Sequence, residues 1–568
     1  MDKNRSMIDC KFNVMKKIVV LLIISMFSFW GLFAQTYSGK PYRNGVRPTK
    51  NVILMIPDGT SIGVVTAARW YQIYNELGGK NLAIDPYFCG TVLTFSSDAP
   101  IGDSAPTTSC YMTGMPQQTG NVAIYPPANP ENDLVEVDPT MSYQPLATIL
   151  EAARIVKNKA TGLVVTVEFP HATPADCSAH HYKRGRYDLL GSQMAYQNLD
   201  VMFGGGVGLV TEDMKQHFTS KEISYYANDI NAFRNHTQGK VWSLWDNRAF
   251  PYDLNRDTTK IPSLQEMTEK AIDLLSQNEN GFFLMVEGSK IDWVAHANDA
   301  VGCITEFLAF DKAVKSAMDF AKKDGNTTVV ILPDHGNSGF TIGRRDLASY
   351  DKASIEKLFG TVSKYKRTAE GLEKILLKDK PENFKRIIKE YTSIEITDEE
   401  LESLISSKNY KPENYMKVSD GKNMIAKLVE IMNLRTYFGF TTGGHTGEEV
   451  FLAAYHPQGD VPMGMNTNME INHYLSDVLG LQKRLPELTQ EIFAKHTEVF
   501  AGMNCIIDKK DADFPVLIVK KGRKTLRIPS FKSVAYLNNE KFDLGSVTVY
   551  IDKNDTFYIP RNLADKLK

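Results

Sequence analysis

Four apolar, β-branched runs stand out along the chain: Asn51–Ile56, Leu163–Val167, Phe282–Val286 and Thr328–Leu332. None alternates with polar residues, so each reads as a strand buried on both faces, the pattern of a parallel sheet. Each is followed by a short polar turn, and most then by a helical pattern. Strand, loop and helix in repetition predict an α/β fold with a central, mostly parallel sheet flanked by helices. Between Arg344 and Phe440 the texture becomes charged, with helical period over Gly371–Leu377, Asn383–Tyr391 and Thr397–Ser406. Thr397-Asp398-Glu399-Glu400 reads as a capping box, in which the first and last side chains satisfy free N–H groups at a helix start. This stretch, about residues 345–440, is read as a helical insertion, and Pro486–His496 as a closing helix. Beyond Cys505 the pattern changes again. Val516–Lys520 and Thr525–Ile528 around Gly522 predict a hairpin, and Val547–Ile551 and Thr556–Ile559 two more short strands. Residues 505–568 are thus read as a small β-rich C-terminal module, dispensable for the chemistry; the opposing reading is that it folds back over the active-site mouth and shapes substrate entry. Its cationic turn (Lys520, Lys521, Arg523, Lys524) reads as a solvated hairpin tip rather than a binding patch.

One further apolar run lies outside this repetition. Met15-Lys16-Lys17 precedes Ile18–Ala34 and then Gln35, a basic start, an apolar stretch and a small residue before polar sequence. That order describes a secretory signal peptide over residues 1–34, cleaved after Ala34. The alternative is a retained membrane anchor, for which 17 residues lie at the short end of the ~17–25 a span needs. Met15 is an alternative start, which would make residues 1–14 an extension. No second long apolar run follows, so a mature chain beginning at residue 35, with residues 35–500 as its main domain, is expected to be exported to the periplasm or secreted, without a transmembrane span.

Composition narrows the functional classes. The 568 residues are 43% hydrophobic, enough for a large core and against wholesale disorder. Lys and Arg number 65 against 67 Asp and Glu; removing residues 1–34 leaves 60 against 65. Such a balance gives no general pull on nucleic acid or anionic membrane, so any anion must be caught by a local site. The six cysteines (Cys10, Cys89, Cys110, Cys177, Cys303 and Cys505) are widely spaced without a CxxC, which excludes a disulfide framework and a zinc-thiolate site.

The acidic and histidine residues fall where chemistry is expected in such a fold. Asp58 follows the first strand, His171 and Thr173 the second, Glu287, Asp292 and His296 the third, and Asp334 and His335 the fourth. Ligands of open α/β sheets bind beyond the carboxyl ends of the strands. Asp292 and His296, four residues apart, share a face if that segment is helical. Mixed Asp/His sets without cysteine suit catalytic zinc, and Glu287 with the Thr173 hydroxyl suits magnesium. Taken singly, each has an ordinary alternative, such as helix capping for Asp58. The Ser104–Ser109 run of small hydroxyl residues reads equally as a plain helix start or as a phosphate seat carrying a nucleophile.

In order and local context these motifs resemble the alkaline phosphatase family from about Lys50 to Leu479. They are Asn51 through Asp58-Gly59, Asp103-Ser104-Ala105, His171-Ala172-Thr173-Pro174-Ala175, Ala179-His180 up to Arg184, Val286-Glu287 through Asp292 with His296, Asp334-His335, and His445-Thr446-Gly447. The resemblance implies hydrolysis of small phosphate monoesters through a phosphoserine, with Ser104 as nucleophile and Arg184 gripping two phosphate oxygens. It implies two Zn2+ ions, one on Asp58, Asp334 and His335 and the other on Asp292, His296 and His445. It further implies one Mg2+ ion on Thr173, Glu287 and a bridging Asp58, and it favours a homodimer. Two positions depart from relatives. His171 stands where the enteric bacterial form has a carboxylate, and Trp293 where relatives carry Lys or His, which removes a charged contact to phosphate. Other hydrolases of the superfamily, such as phosphodiesterases and sulfatases, are the nearest alternative. A non-catalytic phosphate-binding or adhesion protein is the alternative of another class.

Overall fold

The computed structural model describes residues 45–481 and 484–568. The expected signal peptide and Cys10 lie outside the described residues. A ten-stranded sheet organises the chain. Crossing it from edge to edge, one meets the strands Gly464–Thr467, Phe88–Leu93, Val450–Tyr455, Thr327–Ile331, Asn51–Ile56, Phe282–Glu287, Ala160–Glu168, Val201–Gly205, Val241–Trp245 and Ser224–Ala227. All pairings are parallel except those of Val450–Tyr455, which runs against both neighbours. The four apolar runs are the four adjacent central strands. Every residue of Asn51–Ile56, Phe282–Glu287 and Thr327–Ile331 is buried, as helices on both faces require.

The period of two along a strand divides its side chains between the faces. Ile53 and Met55 share one apolar cluster with Val64 and Ala68 of helix Ile62–Tyr74, Met267 and Ala271 of Leu264–Leu275, and Phe307 of Ala300–Asp324. Each fully buried aliphatic or aromatic side chain there contributes about 1.5–3 kcal/mol relative to exposure. The stretch between Arg344 and Phe440 forms the helices Ile355–Phe359, Ala369–Leu376, Phe384–Thr392, Asp398–Ser407 and Met424–Leu434. Leu372, Phe384, Ile388, Leu404 and Leu428 add their apolar faces to the same cluster. The capping box forms: Thr397 N–H donates to Glu400 Oε2 (2.9 Å) and Glu400 N–H to Thr397 Oγ1 (3.2 Å).

The C-terminal strands form two sheets. Five antiparallel strands between Asn504 and Asp543 follow one another as a meander, with Leu517, Val519, Leu526 and Ile528 buried and alternate residues outward. Its hairpin turns through Gly522 at φ +59°, a left-handed conformation suited to glycine. Val549–Ile551 and Thr556–Ile559 belong to a second sheet, whose third strand is Ala494–Lys495. The closing helix therefore stops at Ile492, short of the expected His496, because its last residues are extended to pair with Thr556–Ile559. No helix among the described residues is long and apolar enough to cross a membrane.

Candidate active site

The carboxyl edge of the central strands carries the candidate ligands. Asp58 lies two residues past Ile56, Glu287 ends its strand, and Asp334 and His335 lie just past Ile331. His445 arrives from the other direction. It precedes the one antiparallel strand, Val450–Tyr455, whose amino end lies at the same edge. Asp292 and His296 occupy one face of helix Lys290–His296, and His296 Nε2 lies 3.5 Å from Asp292 Oδ2. Gly59, at φ +60°, lets the chain pass this helix: a Cβ there would lie 2.5 Å from Asp292 Oδ1.

The carboxylates are deeply buried and poorly satisfied. Asp58 and Glu287 are fully buried, and none of their four oxygens has a hydrogen-bond partner. Asp334 Oδ2 and Thr173 Oγ1 are orphaned as well. Burial, followed by the charges of Asp334, Asp292 and Glu287, pushes the Asp58 carboxyl well above its ordinary range. Burial pushes Glu287 up to about 8. Buried oxygens without donors cost roughly 1–3 kcal/mol each and call for a ligand.

Three imidazoles complete the cluster in one orientation. Nδ1 of His296 faces Gly443 O (2.8 Å), that of His335 faces Gly336 O (3.0 Å), and that of His445 faces Gly102 O (2.9 Å). A carbonyl only accepts, so each Nδ1 carries hydrogen and each Nε2 is turned inward. His296 Nε2 and His445 Nε2 stand 3.1 Å apart. His335 Nε2 lies 3.5 Å from both Asp58 Oδ1 and Asp334 Oδ2, and His445 Nε2 lies 3.6 Å from Asp292 Oδ1. Burial, then His335, pulls His445 down to about 4, which leaves it neutral at physiological pH. The two inward-turned Nε2 atoms converge, as two ligands of one cation do. Backbone-bonded Nδ1 with a free Nε2 is the arrangement by which proteins orient metal-binding histidines. Two clusters, Asp58/Asp334/His335 and Asp292/His335/His445, have ligand atoms within 4.8 Å of one another. The residues therefore fit divalent cations on their own geometry.

Ser104 opens the helix Ser104–Thr113. Its hydroxyl lies 3.2 Å from His335 Nε2 and is 98% buried, at a helix end whose free N–H groups favour an anion. Arg184 extends from the loop between helices Ala172–Ser178 and Tyr187–Tyr196. Its guanidinium pairs with Asp103, immediately before the serine, and Nη2 lies 3.5 Å from His171 Nε2. Burial, then Arg184, pulls His171 down to about 3, so this ring is neutral. Trp293 and Tyr415 stack at 4.5 Å with their planes 15° apart, and both border His171 at 6.0 Å between ring centroids. Tyr415 also borders His296 at 5.7 Å. Buried Lys290 places its ammonium 3.9 Å from the Trp293 ring.

All twelve site residues expected from the sequence meet at this edge of the sheet. Three further groups had no role in that reading. Asp103 fixes Arg184. Asn337 donates to Asp292 Oδ1 at 2.7 Å and so orients that carboxylate. Tyr415 comes from the segment between two insertion helices, where no motif marks it. Proximity of Asp103 to the serine and of Asn337 to Asp334-His335 was the only signal available for the first two.

A family model described as alkaline phosphatase matches residues 49–481. "Alkaline phosphatase 4" of Bacillus subtilis is 31% identical over 488 residues, covering 83% of this chain and 98% of that protein. The solved alkaline phosphatase of Thermus thermophilus superposes with a TM-score of 0.67 at 22% identity, covering 79% of this chain and 95% of its own. The cold-active alkaline phosphatase of Shewanella sp. superposes at 0.65 and 24% identity, covering 76% and 99%.

Proposed function

The chain belongs to the alkaline phosphatase family, and from that premise we propose that it hydrolyses phosphate monoesters through a phosphoserine on Ser104, at a site for two Zn2+ ions and one Mg2+ ion. The observation that carries this reading is the set of orphaned buried oxygens and inward-facing Nε2 atoms gathered around one serine hydroxyl. Asp58, Asp334 and His335 would hold one zinc, and Asp292, His296 and His445 the other. Thr173 and Glu287, with Asp58 shared, would hold magnesium. Bound there, the cations supply Lewis acidity and neutralise charge at the phosphoryl group.

The chain's own groups then have distinct tasks. Ser104 Oγ, its proton given up to solvent, attacks phosphorus and forms the serine ester as the bond to the leaving alkoxide breaks, and the alkoxide takes up a proton to leave as the alcohol. Water then attacks the same phosphorus, releasing inorganic phosphate and restoring the serine. The N–H groups at the start of helix Ser104–Thr113 and the Arg184 fork stabilise the non-bridging oxygens. Neutral His171 adds no charge beside Arg184. The stacked Trp293 and Tyr415 rings flank His171, and Tyr415 also flanks His296. Export is proposed on the Met15–Ala34 segment, and a homodimer on the family resemblance.

Metal-loaded protein is expected to turn over an aryl phosphate monoester with kcat/KM at least about a thousandfold above that for the matching diester or aryl sulfate, a difference of ~4 kcal/mol. Comparable turnover of the diester would overturn the reading in favour of a phosphodiesterase.

Arg184→Lys is expected to lose activity despite equal charge. A guanidinium holds two oxygens in one plane, whereas an ammonium is a point charge. A loss of about 10–100-fold in kcat/KM is expected, or ~1.4–2.7 kcal/mol. Equal kcat/KM for the two proteins would show that bulk charge suffices.

A further inference from the structure

We propose that the two C-terminal sheets act as a clamp that positions Arg184, and so form part of the catalytic apparatus rather than a dispensable appendage; the proposal rests on the assignment of Arg184 to the phosphoryl group.

The loop Lys183-Arg184-Gly185-Arg186 carries three cations in four residues. On the body side its backbone is pinned: Arg184 N–H donates to Gly120 O (2.9 Å), and His181 exchanges hydrogen bonds with Val122 (3.0 and 2.8 Å). On the far side it rests on the C-terminal sheets, and the contacts fall two residues to either side of Arg184. The Tyr182 hydroxyl bonds to Asp552, at 2.7 and 2.9 Å from its two oxygens. Arg186 Nη2 lies 2.8 Å from Asp513 Oδ1 while the same guanidinium forks onto Asp188. Asp552 lies between the strands Val549–Ile551 and Thr556–Ile559, and Asp513 between Asn504–Asp508 and Val516–Lys521. Each sheet thus contributes one carboxylate. Residues 182 and 186 reach the C-terminal sheets while residue 184 reaches Asp103 and His171.

The helix that follows, Tyr187–Tyr196, bonds to the five-stranded sheet: Ser192 Oγ donates to Phe531 O (3.1 Å). Lys532 pairs with Asp213 at 2.7 Å, outside the Arg184 loop. Exposed ion pairs contribute little to overall stability. What two carboxylates bracketing a self-repelling cationic loop can set is where its middle side chain stands. A displacement of about 1 Å at a group that contacts the transition state can cost up to ~10²-fold.

The test is a mutant cycle in the full-length, metal-loaded protein, read as kcat/KM for an aryl phosphate and as the inhibition constant of inorganic phosphate. Asp513→Ala with Asp552→Ala is expected to lower kcat/KM about tenfold and to weaken phosphate inhibition by a similar factor, with metal content unchanged. In an Arg184→Ala background the same pair should change both readouts less than twofold, because the group they position is gone. Lys532→Met, which loosens the sheets without touching the loop, should leave phosphate inhibition unchanged. Full activity and inhibition in the double variant would overturn the clamp. So would an equal loss with and without Arg184, or a loss reproduced by Lys532→Met. An Arg184→Ala protein inhibited as tightly as the parent would instead refute the arginine's hold on phosphate, and the clamp with it.

Discussion

Replacing Ser104 with alanine is expected to lower kcat by about a thousandfold or more, at least ~4 kcal/mol of barrier, in a protein that stays folded. The same helix carries four other aliphatic hydroxyls, and geometry separates them. Thr107 Oγ1 donates to Asp103 O at 2.8 Å, a back-bond to the preceding turn. Thr113 Oγ1 does the same to Ser109 O. Ser109 Oγ donates to Asp176 Oδ1 (2.9 Å) and accepts from Ala123 N–H (2.8 Å). Thr108 Oγ1 is buried without a partner. Only Ser104 Oγ meets an inward-turned imidazole nitrogen. The Ser104 hydroxyl bonds to His335 rather than to the backbone of its own helix, so alanine there costs little stability. Trapping the enzyme with substrate at low pH and locating the phosphate by mass spectrometry should place it on residue 104. A phosphate on Thr108, or an alanine variant with near-parental kcat, would remove the serine from its role.

The parts of this site legible in the sequence are those set by local period. Strand runs fix where the carboxyl edge lies, so Asp58, Glu287, Asp334 and His335 can be placed on it from their distance to a run's end. The spacing of Asp292 and His296 carries its own geometry, because a helix brings i and i+4 together. His445 is harder to read. It joins the edge only because the strand after it runs antiparallel, a fact of sheet order that composition does not encode. Tyr415 is harder still, since its place on Trp293 depends on how the insertion helices pack. The same reason explains the C-terminal strands. Their hairpins follow from alternation and Gly522, but the recruitment of Ala494–Lys495 as a third strand, and the reach of Asp552 and Asp513 to the Arg184 loop, are tertiary.

Stripping the metals is expected to abolish turnover and to destabilise the protein most at alkaline pH. In the metal-free fold Glu287 is raised from 4.5 to about 8, by burial first, and Asp58 is raised well above its ordinary value by burial and by the charges of Asp334, Asp292 and Glu287. For a carboxyl raised on folding, the stabilising contribution is fully present below the unfolded value, near 4.5 for Glu287, and is lost as pH rises through about 8. Across that window the apoprotein must either keep protons the solvent is removing or gather buried negative charges at one edge. Divalent cations take the place of those protons and reverse the sign of the neighbourhood. The Tm gap between metal-loaded and chelated protein should therefore widen from pH 5 to pH 9, with the apoprotein's Tm falling and the loaded protein's holding. Zinc with magnesium should restore both Tm and activity. Asp58→Asn separates electrostatics from simple loss of a ligand. It removes the carboxylate shared by two of the proposed sites, so activity should fall by orders of magnitude while the metal-free variant becomes more stable at pH 9 than the metal-free parent. An apoprotein equally stable at pH 5 and pH 9, or an Asp58→Asn apoprotein no more stable than its parent at pH 9, would mean that these buried carboxylates are satisfied within the protein and were never built to hold cations.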